Sequence, residues 1–262
     1  MNPSMSPFCA QAYHYLRHFP IGEEGLSPAP QEFDDPKDKG SVFRFNPDFV
    51  LFRDGFEIRV LDGEHALKTR TAWLIERMYA SRGLQAYRPT ADVDERLTTI
   101  VACCGEHLVG TMTLGVDTGT GLMADTLYQK EVDAVRRKGG RVCEITRLAM
   151  DPEKGSQEAL AGMVQILYIL VSMVHKTSDI FIEVHPRHAG YYQRLLGYEL
   201  VGQERTCPRV GAPAVLLHLC AKKLDMLVKR FAGNADSSAR SFYRLFPTPA
   251  ALSELHRALL SS

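Results

Sequence analysis

The sequence predicts a mixed α/β fold, a central sheet of parallel and antiparallel strands flanked by helices. Three observations point there. The stretch Cys143-Glu144-Ile145-Thr146-Arg147-Leu148-Ala149-Met150-Asp151-Pro152 reads as a buried strand, because β-branched and aliphatic residues fill most positions and Pro152 removes a backbone donor. Ser156 to Lys176 then places Leu160, Met163, Leu167, Val171 and Val174 at helical spacing, with Ser156 as cap. Asp179 to His185 is a second apolar strand, and strand, helix, strand in that order makes a parallel right-handed crossover.

The other elements follow in chain order. Residues 1–50 are rich in Pro, Gly and charge and read as a mobile arm with one short helix around Gln11 to His18; Val42, Phe43, Phe45 and Phe49 can dock it. The main domain is expected over 51–223. It opens with the alternating strand Phe56 to Leu61, which stops at Asp62-Gly63. A helix follows, with Leu67, Leu74 and Met78 in one stripe and Gly83 ending it in a left-handed conformation. Leu97–Cys104 and Leu108–Val116 form a hairpin about Gly105-Glu106. Residues 117–141 read as a long polar connection. Beyond the crossover come a short helix, Ala189 to Leu196, closed by Gly197, and strands Tyr198–Val201 and Ala214–Cys220. Residues 224–262 form a C-terminal helical extension with two amphipathic pieces.

Composition narrows the class of function. Thirty-one basic and 31 acidic side chains cancel, which argues against a general nucleic-acid binder while leaving room for a local basic patch. The six cysteines include no C-x-x-C, so neither a zinc site nor a disulfide framework is expected, and small buried thiols of a reducing cytoplasm are. The most apolar segment, Ala159 to Val174, is interrupted by Gly162, Gln165 and Ser172 and reads as a core helix rather than a transmembrane segment.

Charged residues inside apolar elements mark the candidate site. Glu144 and Arg147 sit in a core strand that has no packing reason to hold either, which leaves a structural ion pair or a built site. Strand alternation puts them on opposite faces, and only a bulge between them would bring both to one. Arg70 falls in the apolar stripe of the first helix and is expected to point at the interior or to snorkel at its rim. Asp92 and Asp94 lie in an acidic loop, where Arg70 and Arg147 give a carboxylate reason to face inward. Arg136, Arg137 and Lys138 form a basic run, either a solvated face or a dock for an acidic partner. His185 and His188 lack a third ligand nearby, so no metal is expected; capping or surface roles fit them better.

The order of elements and the segment Tyr192-Gln193-Arg194-Leu195-Leu196-Gly197-Tyr198 resemble the N-acetyltransferase (GNAT) fold. That fold holds coenzyme A pyrophosphate on a glycine-rich turn, whereas Asp151-Pro152-Glu153-Lys154-Gly155-Ser156-Gln157-Glu158 has one glycine and acidic residues that repel it. Glu144-Ile145-Thr146-Arg147 resembles the Glu-x-Ser/Thr-Arg motif of acyl-homoserine-lactone synthases and of the bacterial N-acyl amino acid synthases. His185 to Tyr198, with Cys207-Pro208-Arg209-Val210-Gly211-Ala212-Pro213, is similar to the second branch. Thr111-Met112-Thr113-Leu114 lacks the arginine that homoserine-lactone synthases hold on that strand.

The resemblance spans roughly Phe56 to Lys223 and implies a long-chain N-acyltransferase. The donor would be the acyl-phosphopantetheine of acyl carrier protein, with no tightly bound cofactor and an amino acid as acceptor. It carries Glu144 and Arg147 over as catalytic residues, and Arg70, Asp92 and Asp94 as residues that bind substrate or order the site. Glu144 is the expected base, Arg147 the expected organiser of Asp92 and Asp94, and Tyr192 a candidate acid for the leaving thiol, although Gln193 stands at the usual spacing before Gly197. An apolar cleft lined by Met112, Leu148 and Met163 would take the acyl chain. Competing expectations are an acyl-CoA donor, as in an acetyl-CoA-dependent acetyltransferase of small amines, and an inactive module that binds acyl carrier protein.

Overall fold

The computed structural model describes residues 43–61, 65–84, 96–234 and 241–261. Asp92, Asp94, the helix expected near Gln11, most of the N-terminal arm and the Asp62-Gly63 stop lie outside the described residues.

Eight strands form one sheet in the order β1-β2-β3-β4-β5-β6-β8-β7. They are β1 Leu51–Arg53, β2 Phe56–Val60, β3 Leu97–Cys104, β4 His107–Val116, β5 Val142–Met150, β6 Asp179–Val184, β7 Glu199–Cys207 and β8 Ala212–Cys220. Among the described residues, only β5 and β6 pair in parallel. The mixed sheet is as expected. Strand β1 was not anticipated: it folds back on β2 through Asp54-Gly55, both at positive φ, the two-residue turn that Asp-Gly favours.

Three helices position the site. α1 (His65–Ala80) packs over β4 and β5, with Leu74 and Met78 against Ala149 and with Leu67 on Val101 and Cys103. α2 (Asp125–Arg136) occupies the segment read as a polar connection and packs Tyr128 and Val132 on Val142, Phe181 and Leu216. Its apolar residues recur four apart among charges, a narrow stripe that the surrounding Asp, Lys and Arg concealed. The Tyr128 hydroxyl donates to the carbonyls of Gln203 and Ala214, which fastens α2 to β7 and β8.

α3 (Gln157–Tyr168) lies on the other face, against β1 to β4, and continues as a π-helix over Ile169–Val174. Ser156 caps it as expected, its Oγ accepting from the Ala159 amide at 3.1 Å. The span Gln157–Val174 is long and apolar enough to cross a membrane, but 67% of it is buried in the core. Met112 and Met163, expected to line an acyl cleft, are fully buried there, and Leu148 is half-buried.

α4 (Pro186–Leu196) ends at Gly197 with φ +80°, α5 is Ala221–Phe231 and α6 is Pro249–Leu260. The last two bury Leu224, Val228, Leu252 and Leu259. The Asn46 amide donates to the Leu259 carbonyl at 2.8 Å, so the chain is tied to α6 before β1 begins.

Candidate active site

Glu144 is buried in the middle of the sheet, on the face covered by α1 and α2. Its carboxylate accepts from two consecutive backbone amides on the approach to α2: Met123 at 2.7 Å and Ala124 at 3.0 Å, one on each oxygen. Taking a carboxylate out of water costs several kcal/mol, and these two charge-assisted bonds offset part of that. The balance leaves the carboxyl above its ordinary range: burial raises it most, the two amides and Arg209 pull it down, and Glu183 pushes it up.

Arg209, in the turn between β7 and β8, completes the arrangement. Its Nη1 donates to the Met123 carbonyl at 2.8 Å and its Nη2 to Glu183 Oε2 at 2.8 Å. Glu183 stands on β6, two residues beyond Phe181, the register partner of Glu144, so both carboxylates share one face. Neither Glu183 nor Arg209 was singled out from the sequence. The signal for Glu183 is the one that marks Glu144, an acid between the apolar run Ile180-Phe181-Ile182 and Val184.

The bulge that the spacing of Glu144 and Arg147 required is present. Thr111 pairs with Ala149 and Thr113 with Thr146, so Met112 faces two residues, Arg147 and Leu148. Arg147 sits at φ +53°, a left-handed conformation that costs a side-chain-bearing residue about 1 kcal/mol. The charges of Arg147, Arg82 and Arg209 all act on the phenol of Tyr79 in α1, although burial still raises that phenol. The charge of Arg147 thus reaches Tyr79, and the cation acting on Glu144 is Arg209.

At the same level the sheet opens. β5 pairs with β6 only from Val142↔Asp179 to Ile145↔Ile182, while β5 continues along β4 to Met150 and β6 continues along β8 to Val184. Beyond Ile145 the edge of β5 that faces β6 makes no ladder bonds to it.

Several expected positions need correction. Of the two expectations for Arg70, interior or rim, the structure has the rim: it is exposed on α1 and donates to the Glu106 carbonyl in the β3–β4 turn, at the far end of β4 from Gly115, the partner of Glu144. At about 100° per residue it lies at the margin of the stripe, and Thr71 is the buried residue between Leu67 and Leu74. Arg136 is not an open docking cation, because it bonds Asp117, Asp125 and Asp133 together. Arg137 and Lys138 are exposed beside it. Tyr192 packs edge-on to Tyr191 and Tyr198, and Tyr198 in turn lies near Cys143, on the opposite face from Glu144. His185 caps α4, its Nδ1 accepting from the Arg187 amide at 3.2 Å, and His188 Nε2 accepts from Arg187 Nε at 3.1 Å.

The turn before α3 is internally bonded. Asp151 Oδ1 accepts from the amides of Glu153 (2.9 Å) and Lys154 (3.2 Å), and the Asp151 carbonyl accepts from Gly155 (2.8 Å). Glu158, in the first turn of α3, is held by Arg53, whose Nε donates to it at 2.7 Å.

Comparison with known proteins assigns this architecture. No curated protein matches the chain. Among solved structures, FeeM, an N-acyl amino acid synthase from uncultured soil microbes, superposes with a TM-score of 0.56 at 22% identity, covering 65% of this chain and 93% of that one. The acyl-homoserine-lactone synthase LasI aligns with a TM-score of 0.46 at 11% identity, over 63% of this chain and 90% of its own. The family described as N-acyl amino acid synthase FeeM matches residues 70–220, more than half of the sequence, including Glu144, Arg147, Glu183 and Arg209. This chain belongs to that family and is an N-acyltransferase on a GNAT-like fold.

Proposed function

We propose that the protein transfers a long-chain acyl group from the phosphopantetheine thioester of acyl carrier protein to the amine of an amino acid, in a bacterial cytoplasm. The observation that carries the choice of donor is the turn before α3. An acyl-CoA enzyme of this fold needs free amides there for a pyrophosphate; here Asp151 and Ser156 take those of Glu153, Lys154, Gly155 and Ala159. A carrier protein presents its thioester without that pyrophosphate and has no use for them. The free thiols of Cys103, Cys104, Cys143, Cys207 and Cys220 agree with a reducing compartment.

In this reading the thioester carbonyl enters the gap between β5 and β6, where the edge of β5 beyond Ile145, which makes no ladder bonds to β6, stabilises its oxyanion. The acceptor sits on the α1 face. Glu144 takes the proton of the attacking amine, directly or through a water, and its raised pKa suits a base working near neutrality. The C–N bond forms, the C–S bond breaks, and the thiolate takes a proton on the opposite face, where Tyr192 is the candidate donor. Arg147, with Asp92 and Asp94, orders the acceptor, while Arg70 supports the β3–β4 turn at the rim.

The test offers the purified protein long-chain acyl carrier protein, long-chain acyl-CoA and acetyl-CoA separately, with mixed amino acids, and reads products by mass spectrometry. An N-acyl amino acid formed with the carrier protein alone, and lost in Glu144→Gln, is the expected result. Product from acetyl-CoA would overturn the donor assignment, and no product from any donor would favour a carrier-binding module.

A further inference from the structure

Glu144, Arg209 and Glu183 are joined by one peptide group. The Met123 carbonyl and the Ala124 amide belong to the same peptide: its oxygen accepts from Arg209 Nη1 at 2.8 Å and its N–H donates to Glu144 Oε2 at 3.0 Å. A guanidinium on the carbonyl polarises the peptide and strengthens the bond that its N–H makes, and low surrounding polarity amplifies the effect. Arg209 cannot drift, because Glu183 holds its other nitrogen at 2.8 Å with both side chains mostly buried.

We infer that Arg209 is a positioning residue, which orients the Glu144 carboxylate through the Met123–Ala124 peptide and is itself held by Glu183. The inference rests on the reading of Glu144 as the base. The relay alternates in charge: carboxylate, polarised peptide, guanidinium, carboxylate. It ties three separate stretches, β5, the approach to α2 and the β7–β8 turn, to one proton-accepting group.

Among the described residues, the ionisable groups around Glu144 are few. Arg209 reaches it from the β7–β8 turn and Glu183 from β6, where Glu183 also bonds the Cys207 thiol. From α1 comes the Tyr79 phenol, beside Arg209 and Arg147. On the approach to α2, Asp125 is bound by Arg136, and on β5 the adjacent Cys143 thiol lies on the opposite face, where it contacts Thr177. Among the described residues, only Arg209 stabilises the charge of Glu144 through a shared peptide.

The test is the titration of Glu144 itself, by NMR of the full chain labelled at glutamate carboxyls, with the signal assigned by its loss in Glu144→Gln. Arg209→Gln should raise the midpoint by about one pH unit, Arg209→Lys should keep most of the wild-type value, and Glu183→Gln should lower it. Glu183→Gln retains an oxygen that accepts from Arg209, so its downward shift reports the lost Glu183 charge. The relay is reported by the Ala124 amide proton, which should move in Arg209→Gln and in Arg209→Lys, and an unmoved Ala124 proton overturns it. A common structural loosening would move both variants the same way; that result, or no movement in either, overturns the relay. Opposite shifts together with full transfer activity in Glu144→Gln would sink the base and leave the relay standing.

Discussion

Arg77 on α1 and Asp151 at the end of β5 form an ion pair, and the second oxygen of Asp151 closes the turn that leads into α3. One carboxylate thus joins α1 to the turn that leads into α3. Asp151→Ala should cost about 1–2 kcal/mol, the scale of a lost cap and a partly exposed ion pair, read as a lower urea midpoint. It should also release the amides of Glu153 and Lys154. Free CoA should then inhibit the variant more strongly than the wild type; equal inhibition would remove the turn from the argument about the donor.

Acid sensitivity follows from two kinds of shift with the same sign. Asp151 and Asp117 are held below their ordinary range, burial being outweighed by backbone amides and by Arg77 or Arg136. Their contribution is complete above the unfolded value of about 3.9 and is lost as pH falls through the folded one. His175 and His188 are depressed to about 4, chiefly by burial. Between about pH 6.5 and 4 the unfolded chain therefore binds protons that the folded one refuses, and stability falls as pH falls. Each histidine accounts for up to about 3 kcal/mol before solvent screening. Urea midpoints should decline from pH 6.5 downward, less steeply in His175→Gln.

If the basic run docks a carrier protein, Arg137 and Lys138 are its exposed cations. Reversing both should raise the apparent KM for acyl carrier protein several-fold at low salt and flatten its salt dependence, with Tm unchanged. Arg136→Glu should instead destabilise the fold, because it places a fourth acid among Asp117, Asp125 and Asp133. An unaltered KM in the double reversal would move docking elsewhere on the surface.

Gly202 leaves room for α2. A Cβ at that position would stand 2.6 Å from the Tyr128 ring and 2.7 Å from Leu216, and the ring is pinned by its hydroxyl bonds and by Arg205 at 4.6 Å. Gly202→Ala should therefore cost about 1–3 kcal/mol in thermal unfolding, the range for overpacking. A smaller loss would mean that α2 shifts freely, and with it the amides that bind Glu144.

The parts legible in the sequence were those governed by local periodicity and capping. Leu67, Leu74 and Met78 gave α1, Ser156 gave the start of α3, Gly197 the end of α4, and the apolar runs gave β3 to β6. The misses have physical reasons. β1 is three residues long and betrayed only by its Asp-Gly turn, and α2 carries too narrow an apolar stripe to stand out from its charges. Spacing alone leaves Arg70 between interior and rim; the axis of the buried stripe passes through Thr71, which puts Arg70 at the rim.

The sequence by itself determined that an acid and a base residue occupy a core strand, because an ionisable group among Ile, Leu and Ala needs a reason that composition makes visible. It also determined the crossover that sets that strand beside β6. Only the tertiary structure decided what those charges meet. The bulge at Arg147 depends on pairing with β4, and the amides that hold Glu144 come from the approach to α2. Arg209 arrives from a turn 65 positions later in the chain, since 209 − 144 = 65. No local pattern encodes a hydrogen bond between segments so far apart; it exists once packing brings them together and burial makes leaving it unmade costly.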